Sequence, residues 1–72
     1  MTKLISLNLA QRVKDFVSLA QSYAGEISVS SQDSKYRVNG KSILGLFSLD
    51  LSQPVLVWVE KPEEAKDLFE KF

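Results

Sequence analysis

The spacing of apolar residues changes several times along these 72 residues, and this change constrains the fold most strongly. Helical spacing occurs twice, first in Leu9, Val13, Phe16, Val17, Ala20 and Tyr23, then in Ala65, Leu68, Phe69 and Phe72. Between these stripes, residues 26–30 and 35–38 alternate between apolar and polar, and residues 55–59 form a short β-branched and aromatic run. The pattern predicts an α+β fold in which helices cover one face of a small antiparallel sheet.

The first half of the chain should form a strand, a helix and a hairpin. Residues 3–7 are short and apolar and predict a strand. Asn8 is placed as the N-cap of the following helix, with Gln11 in capping-box position, and this helix should end near Gly25. Strands 26–30 and 35–38 should pair across a polar turn. The hairpin should end at Asn39 and Gly40, because both residue types tolerate positive φ.

The second half predicts a short helix, a strand and a final helix. Ser42 is placed as an N-cap before residues 43–47, and Pro54 precedes the strand at 55–59. Pro62 suits the first position of a helix that reaches Phe72. The predicted order is strand, helix, strand, strand, short helix, strand, helix, in a single domain that spans residues 1–72.

Composition excludes most catalytic chemistry. The chain has no cysteine and no histidine, so thiolate nucleophiles, thiolate metal sites and the commonest metal ligand are absent. Nine basic residues balance nine acidic ones, which argues against direct nucleic-acid binding. The short apolar start lacks the core of a signal peptide, and no run is long enough to span a membrane. We therefore expect a cytoplasmic protein without cofactor or metal, which is not an enzyme.

Three features could still carry function, and each has a plain structural alternative. Ser42, beside Lys41, could hold a phosphate at the start of the short helix, or it could be an ordinary N-cap worth about 1 kcal/mol. Trp58 should lie on the sheet face opposite the core, where it could bind a partner or simply cover an edge. The acidic residues of the last helix could bind a hard cation, but they fit better as first-turn charges and a solvated face: Glu63, Glu64 and Asp67.

Residues 41–49 resemble the stretch around the regulatory serine of HPr, the phosphocarrier protein of the bacterial sugar phosphotransferase system, in Gram-positive bacteria. That stretch has a lysine-serine-isoleucine-apolar-glycine pattern, found here from Lys41 to Gly45. Weaker similarities at residues 23–29, 49–59 and 62–72 extend the resemblance over nearly the whole chain. It implies the HPr-like two-layer open-faced sandwich, βαββαβα, with a four-stranded antiparallel sheet and the helices on one face.

The resemblance also implies a lost activity. HPr carries phosphate on a histidine within a histidine-x-arginine-proline motif at the start of its first helix. The corresponding positions here are Leu9, Gln11 and Arg12, and a leucine cannot form an N-phosphoryl bond. The chain should therefore not be competent for histidine phosphotransfer. The catabolite-repression HPr-like proteins (Crh) also lack the histidine and keep the serine, although leucine replaces the glutamine typical of that branch.

In that branch a kinase phosphorylates the serine, and the product assists a transcriptional regulator. The resemblance thus implies a regulatory module switched at Ser42, with Ile43, Leu44 and Phe47 as partner-binding candidates that could equally be core. Its partners would be HPr kinase/phosphorylase, a transcriptional regulator or phosphotransferase components, and the chain would be a monomer or a weak homodimer. Two alternatives stay open: an unmodified binding or accessory domain, and a phosphocarrier that uses a residue such as Asp15.

Overall fold

The predicted order of elements is confirmed in a computed structural model, which describes residues 2–61, 63 and 66–72 except the side chain of Phe69. The elements are β1 (Thr2–Ile5), α1 (Ala10–Gln21), β2 (Ile27–Ser30), β3 (Arg37–Asn39), α2 (Ile43–Phe47), β4 (Val55–Val59) and α3 (Lys66–Lys71). The four strands form one antiparallel sheet in the order β1-β4-β2-β3. This is the α+β sandwich that the apolar pattern predicts.

Strand β4 shows why the sheet has two different faces. Val55, Val57 and Val59 are buried, whereas Leu56 and Trp58 lie on the opposite face and are partly exposed. Successive side chains of a strand point to opposite faces, so the alternation assigns three valines to the helical side. Buried residues from every helix join them in one core: Ile5, Leu7, Val13, Phe16, Val17, Ala20, Tyr23, Ile27, Val29, Leu46, Leu49 and Leu68.

Helix α1 packs on this face through the predicted stripe. Val13, Phe16 and Ala20 are fully buried. The ring of Phe16 meets that of Phe72 edge-on, with centroids 5.8 Å apart, which joins the C-terminal residue to α1. The helix ends at Gln21 rather than near Gly25. Its closing bonds run from the amide groups of Ser22 and Tyr23 to the carbonyls of Leu19 and Ala20.

The predicted start of α1 is wrong by one residue. Leu9, not Asn8, is the N-cap, and Leu9 is 60% exposed rather than part of the apolar stripe. The Asn8 side chain instead accepts a hydrogen bond from Ser6, and the Gln11 amide donates to Asp15 at 3.1 Å. Both groups that a capping box would need are therefore engaged elsewhere.

Most strand limits lie one or two residues from the predicted ones. β1 ends at Ile5, and Leu7 is buried outside the ladder. The turn after β2 extends further than expected because the Ser34 amide donates to the Ser31 carbonyl at 2.9 Å and Ser34 adopts a φ of 61°. As a result β3 starts only at Arg37.

The backbone at the end of β3 is not what the residue types suggested. Neither Asn39 nor Gly40 has a positive φ. Gly40 is needed for close packing instead: its amide donates to the Ile27 carbonyl at 2.8 Å, and a Cβ atom there would lie 2.7 Å from Ile27 Cγ2. The start of the last helix, predicted at Pro62, lies partly outside the described residues. The described helical residues are those of α3.

Candidate functional site

Ser42 is the N-cap of α2, as predicted. Its backbone is extended, with φ −109° and ψ 115°, and its Oγ accepts a hydrogen bond from the Gly45 amide at 3.1 Å. The Leu46 amide donates to the Ser42 carbonyl at 3.1 Å and closes the first helical turn. The side chain is half-buried. The hydroxyl is thus held at the amino end of a five-residue helix, where backbone N–H groups favour negative charge.

The apolar residues of α2 separate into one core residue and three surface residues. Leu46 is fully buried, whereas Ile43, Leu44 and Phe47 are 37%, 82% and 48% exposed. We call the three exposed side chains the α2 patch. Of the two locations that the sequence left open for them, the structure places them on the surface, directly after Ser42.

Lys41 does not direct its charge at Ser42. Its Nζ donates to the Tyr23 carbonyl at 2.5 Å, and its own carbonyl accepts a bond from the Gln21 side chain at 3.2 Å. The ammonium group therefore lies against the Tyr23 carbonyl, two residues beyond the end of α1, on the side of the helix terminus where a cation is favoured. The sequence offered no clear signal of this contact, since 18 residues separate the two partners.

The three positions that the resemblance matches to the phosphocarrier motif carry no histidine, and two of them make other contacts. Leu9 offers no nucleophilic atom, and Gln11 is bonded to Asp15. Arg12 turns back to the loop before α1: its Nε donates to the Ser6 carbonyl at 2.9 Å, and its guanidinium lies 5.1 Å from the centre of the Phe72 ring. Asp15, a possible substitute acceptor, already receives the bond from Gln11.

Trp58 is held firmly on the sheet face opposite the core. Its indole N–H donates to Ser30 Oγ at 3.0 Å, and that hydroxyl, fully buried, donates to the Ser31 carbonyl. The Arg37 guanidinium lies over the indole, 4.1 Å from the ring centre, in a cation–π contact. Sequence analysis identified Trp58 but not its two partners, which come from other strands.

A shallow cavity of about 540 Å³ lies beside this contact, and Glu26, Ser28 and Glu60 line it together with Arg37 and Trp58. The Glu26 amide donates to the Glu60 carboxylate at 3.4 Å. Within the described part of the chain, no three histidine, cysteine, aspartate or glutamate residues lie close enough to hold a metal ion. Glu64, one of the three acidic candidates, lies outside that part.

Two aspartates in turns have lowered pKa values. Hydrogen bonds from the Ser31 hydroxyl and the Lys35 amide lower the pKa of Asp33. The Ser52 hydroxyl and amide do the same for the pKa of Asp50. Both groups are solvent-exposed and accept hydrogen bonds from donors within two residues, so they stabilise their own turns.

The helices that the structure describes are too short and too polar to cross a membrane. In the described residues no helix is long and apolar enough to span a bilayer.

Comparison with known proteins agrees with this geometry. A family model described as "PTS HPr component phosphorylation site" matches residues 8–71. A crystal structure of HPr-C-His from Thermoanaerobacter tengcongensis superposes with a TM-score of 0.72 at 26% sequence identity, over 97% of this chain and 83% of that one. No curated protein matches the chain. Because the family model spans most of the sequence and the fold is the same, this chain belongs to the HPr family of the phosphotransferase system.

Proposed function

We propose that this chain is a regulatory member of the HPr family, switched by a phosphoryl group on Ser42 and unable to relay phosphate through a histidine. The observation that carries the proposal is the contrast at the two helix starts. Leu9 occupies the start of α1, while Ser42 keeps a hydroxyl at the start of α2, immediately before the α2 patch. The protein would work in the cytoplasm and bind protein partners.

The proposed chemistry is a transfer catalysed by a separate kinase. Ser42 Oγ would attack the γ-phosphorus of ATP, its proton would pass to a base of the kinase, and ADP would leave. The phosphoserine would carry a charge of about −1.5 to −2 and three acceptor oxygens. The first backbone N–H groups of α2 would stabilise it, in place of the bond that Gly45 now donates to the hydroxyl.

The signal would be read at the α2 patch. Ile43 follows Ser42 directly, and among the described residues Leu44 is the most exposed large apolar side chain. A dianion at this position would repel partners that need a purely apolar contact and would attract those with arginine or lysine beside an apolar pocket. The candidate partners are an HPr kinase/phosphorylase, a transcriptional regulator and phosphotransferase components.

Mass spectrometry of the intact protein tests the modification. We expect one added phosphate after incubation with ATP and a purified HPr kinase/phosphorylase, and none in Ser42→Ala. The matched control is Ser48→Ala, which removes a hydroxyl from the other end of the same helix and should leave incorporation unchanged. Phosphate that persists in Ser42→Ala would contradict the assignment.

A parallel incubation with phosphoenolpyruvate and enzyme I tests the lost relay. We expect no label, because the side chain of Leu9 has no nitrogen to accept it. Label that disappears in Asp15→Asn would instead establish a carrier that uses this carboxylate. In that case the bond from Gln11 to Asp15 would have to break for transfer to occur.

The exposure of Leu44 favours a second candidate, a docking domain that works without modification. Its surface is available whether or not Ser42 carries phosphate. Retrieval of phosphotransferase enzymes by the wild-type chain and equally by Ser42→Ala would support this candidate. The interaction should be lost in Leu44→Ser and kept in Tyr36→Ser, which replaces an exposed apolar residue on the β2–β3 hairpin.

A further inference from the structure

The peptide group that joins Lys41 to Ser42 is held on both sides by other parts of the chain. Its carbonyl oxygen accepts a hydrogen bond from Gln21 Nε2 at 3.2 Å, and its N–H group donates to the Asn39 carbonyl at 3.1 Å. A peptide group rotates as one rigid unit, so these two bonds set the backbone angles on either side of it. The direction in which the chain enters Ser42 is therefore fixed by residues outside α2.

Asn39 also binds this loop through its side chain. Its Oδ1 accepts a hydrogen bond from the Lys41 amide at 2.9 Å. Both backbone groups of Lys41 are thus bound by amide side chains, one from the last residue of β3 and the other from the last residue of α1. We call the three hydrogen bonds that Gln21 and Asn39 make to residues 41 and 42 the amide clamp.

The amide clamp adds something that the cap of α2 does not supply. The bonds from the Gly45 and Leu46 amides to Ser42 close the first turn of α2 with residues of that helix alone. The clamp instead ties the residue before Ser42 to α1 and β3. It therefore fixes where the hydroxyl lies relative to the rest of the domain.

We propose that Gln21 and Asn39 are positioning residues for the phosphorylation of Ser42, a role that rests on the proposed function. In that transfer Ser42 Oγ bonds to the γ-phosphorus of ATP, its proton passes to a base of the kinase, and ADP leaves. An attacking oxygen that is already oriented reacts faster, because less freedom is lost on the way to the transition state. The amide clamp supplies this orientation in the folded domain.

The amide clamp and the α2 patch should affect different kinetic constants of the kinase reaction. The patch is the proposed docking surface, so Leu44→Ser should raise KM. Asn39→Ala leaves the patch in place and lowers the share of chains whose hydroxyl is correctly oriented, so it should lower kcat with little change in KM. The loss of one hydrogen bond of the clamp should lower kcat roughly two- to tenfold.

Two isosteric substitutions, each adding one negative charge, form a matched pair. Gln21→Glu replaces the amide by a carboxylate, which cannot donate to the Lys41 carbonyl, whereas Asn39→Asp keeps an oxygen that accepts from the Lys41 amide. Initial rates of phosphate incorporation from ATP with purified HPr kinase/phosphorylase should show a lower kcat for Gln21→Glu and a retained kcat for Asn39→Asp. Circular dichroism checks that each variant is folded.

The kinetic outcomes that would overturn the proposal are specific. A kcat equal to that of wild type in both Gln21→Glu and Asn39→Ala would mean that the amide clamp does not orient the hydroxyl. Equal losses in Gln21→Glu and Asn39→Asp would assign the effect to the added charge.

Amide hydrogen exchange without kinase separates a failed clamp from a failed function. The Lys41 and Ser42 amides should be protected in wild type and should exchange faster in Asn39→Ala, while the Leu46 amide, bonded within α2, should change little. Unprotected Lys41 and Ser42 amides in wild type would overturn the clamp itself. Protected amides in a wild-type chain that takes no phosphate would contradict the proposed function, and with it the role of the clamp in transfer.

Discussion

The first turns of α1 and α2 are stabilised in different ways. Both N-cap residues have extended backbones, but Ser42 accepts a hydrogen bond from the amide three residues later, whereas Leu9 accepts none through its side chain. Helix α1 has twelve residues and four buried side chains, while α2 has five residues and one buried side chain. The longer helix is held by its packed face, and the shorter one depends on its cap.

This difference bears directly on function. An apolar residue at the start of α1 is tolerated because packing supplies the stability of the helix, and a leucine has no side-chain nitrogen that could carry phosphate. At the start of α2 the hydroxyl has a structural task, and the proposed function gives it a chemical one. The Oγ atom that would accept phosphate is the atom that now accepts the Gly45 amide as the cap of the helix.

The largest effect should come from breaking the packing that holds α1. Phe16→Ala should lower the free energy of unfolding by about 3–5 kcal/mol, because Phe16 is fully buried and contacts the Phe72 ring. Urea denaturation measures the loss. Phe47→Ala, at a 48% exposed position on α2, is the matched control and should cost far less. Similar losses in both variants would mean that α1 is not held by its core face.

Removal of the α2 cap should have the next largest effect. Ser42→Ala should lower the free energy of unfolding by about 1 kcal/mol, because the Gly45 amide loses its acceptor. Ser42→Thr keeps an acceptor oxygen and should lose less. If the alanine and threonine variants unfold at the same urea concentration, the hydroxyl does not stabilise α2.

A cap added to α1 should raise stability by a smaller amount. Leu9→Ser places a hydroxyl on a backbone that already has N-cap geometry, with φ −117° and ψ 138°. Because Leu9 is 60% exposed, little burial is lost, and we expect a gain of about 0.5 kcal/mol. Leu9→Ala removes the same apolar side chain without adding an acceptor. The serine variant should unfold at a higher temperature than this control, and the reverse order would contradict the argument.

The smallest effect on stability should come from a change in pH. The chain has no histidine, the side chain that ordinarily titrates between about pH 5 and 8, so we expect the cost of Ser42→Ala to be constant over that range. Asp33 and Asp50 have pKa values below the ordinary value of 3.8. The stability they contribute is complete above that value and is lost as the pH falls through the lowered pKa values.

Acid denaturation tests whether stability falls in this direction as the pH is lowered. Asp33→Asn and Asp50→Asn should each make unfolding less sensitive to pH below about 3.8, because an amide cannot be protonated there. Ser42→Ala should shift the whole stability curve downwards without changing its shape. A cap contribution that varies between about pH 5 and 8 would show that a titrating group acts at Ser42.

The sequence predicted the parts of the candidate site that depend on neighbours in the chain. Ser42 as an N-cap follows from residue type and from the apolar run after it. The burial of Val55, Val57 and Val59 follows from the alternation of a strand. The α2 patch was only half predictable, because a five-residue helix is too short for a stripe to indicate which of its apolar residues is buried.

Two contacts could not be predicted from residue type or from the adjacent residue. Asn8 is a better N-cap than Leu9 by residue type, yet its side chain accepts a bond from Ser6 instead. Lys41 stands next to Ser42 in sequence, but its ammonium group binds the Tyr23 carbonyl. For Lys41 the fold supplies a partner 18 residues away, whereas for Asn8 a bond from a residue two positions away replaces a cap preference worth about 1 kcal/mol.

By itself, the sequence determined the order of elements, the apolar faces of α1 and β4 and the absence of a histidine that could carry phosphate. These depend on residue type and on the period of a helix or strand, which are local properties. Only the tertiary structure decided the strand order β1-β4-β2-β3 and the contacts of Trp58 with Ser30 and Arg37. Strand pairing brings these residues together across the sheet, and no local pattern encodes which strands will be neighbours.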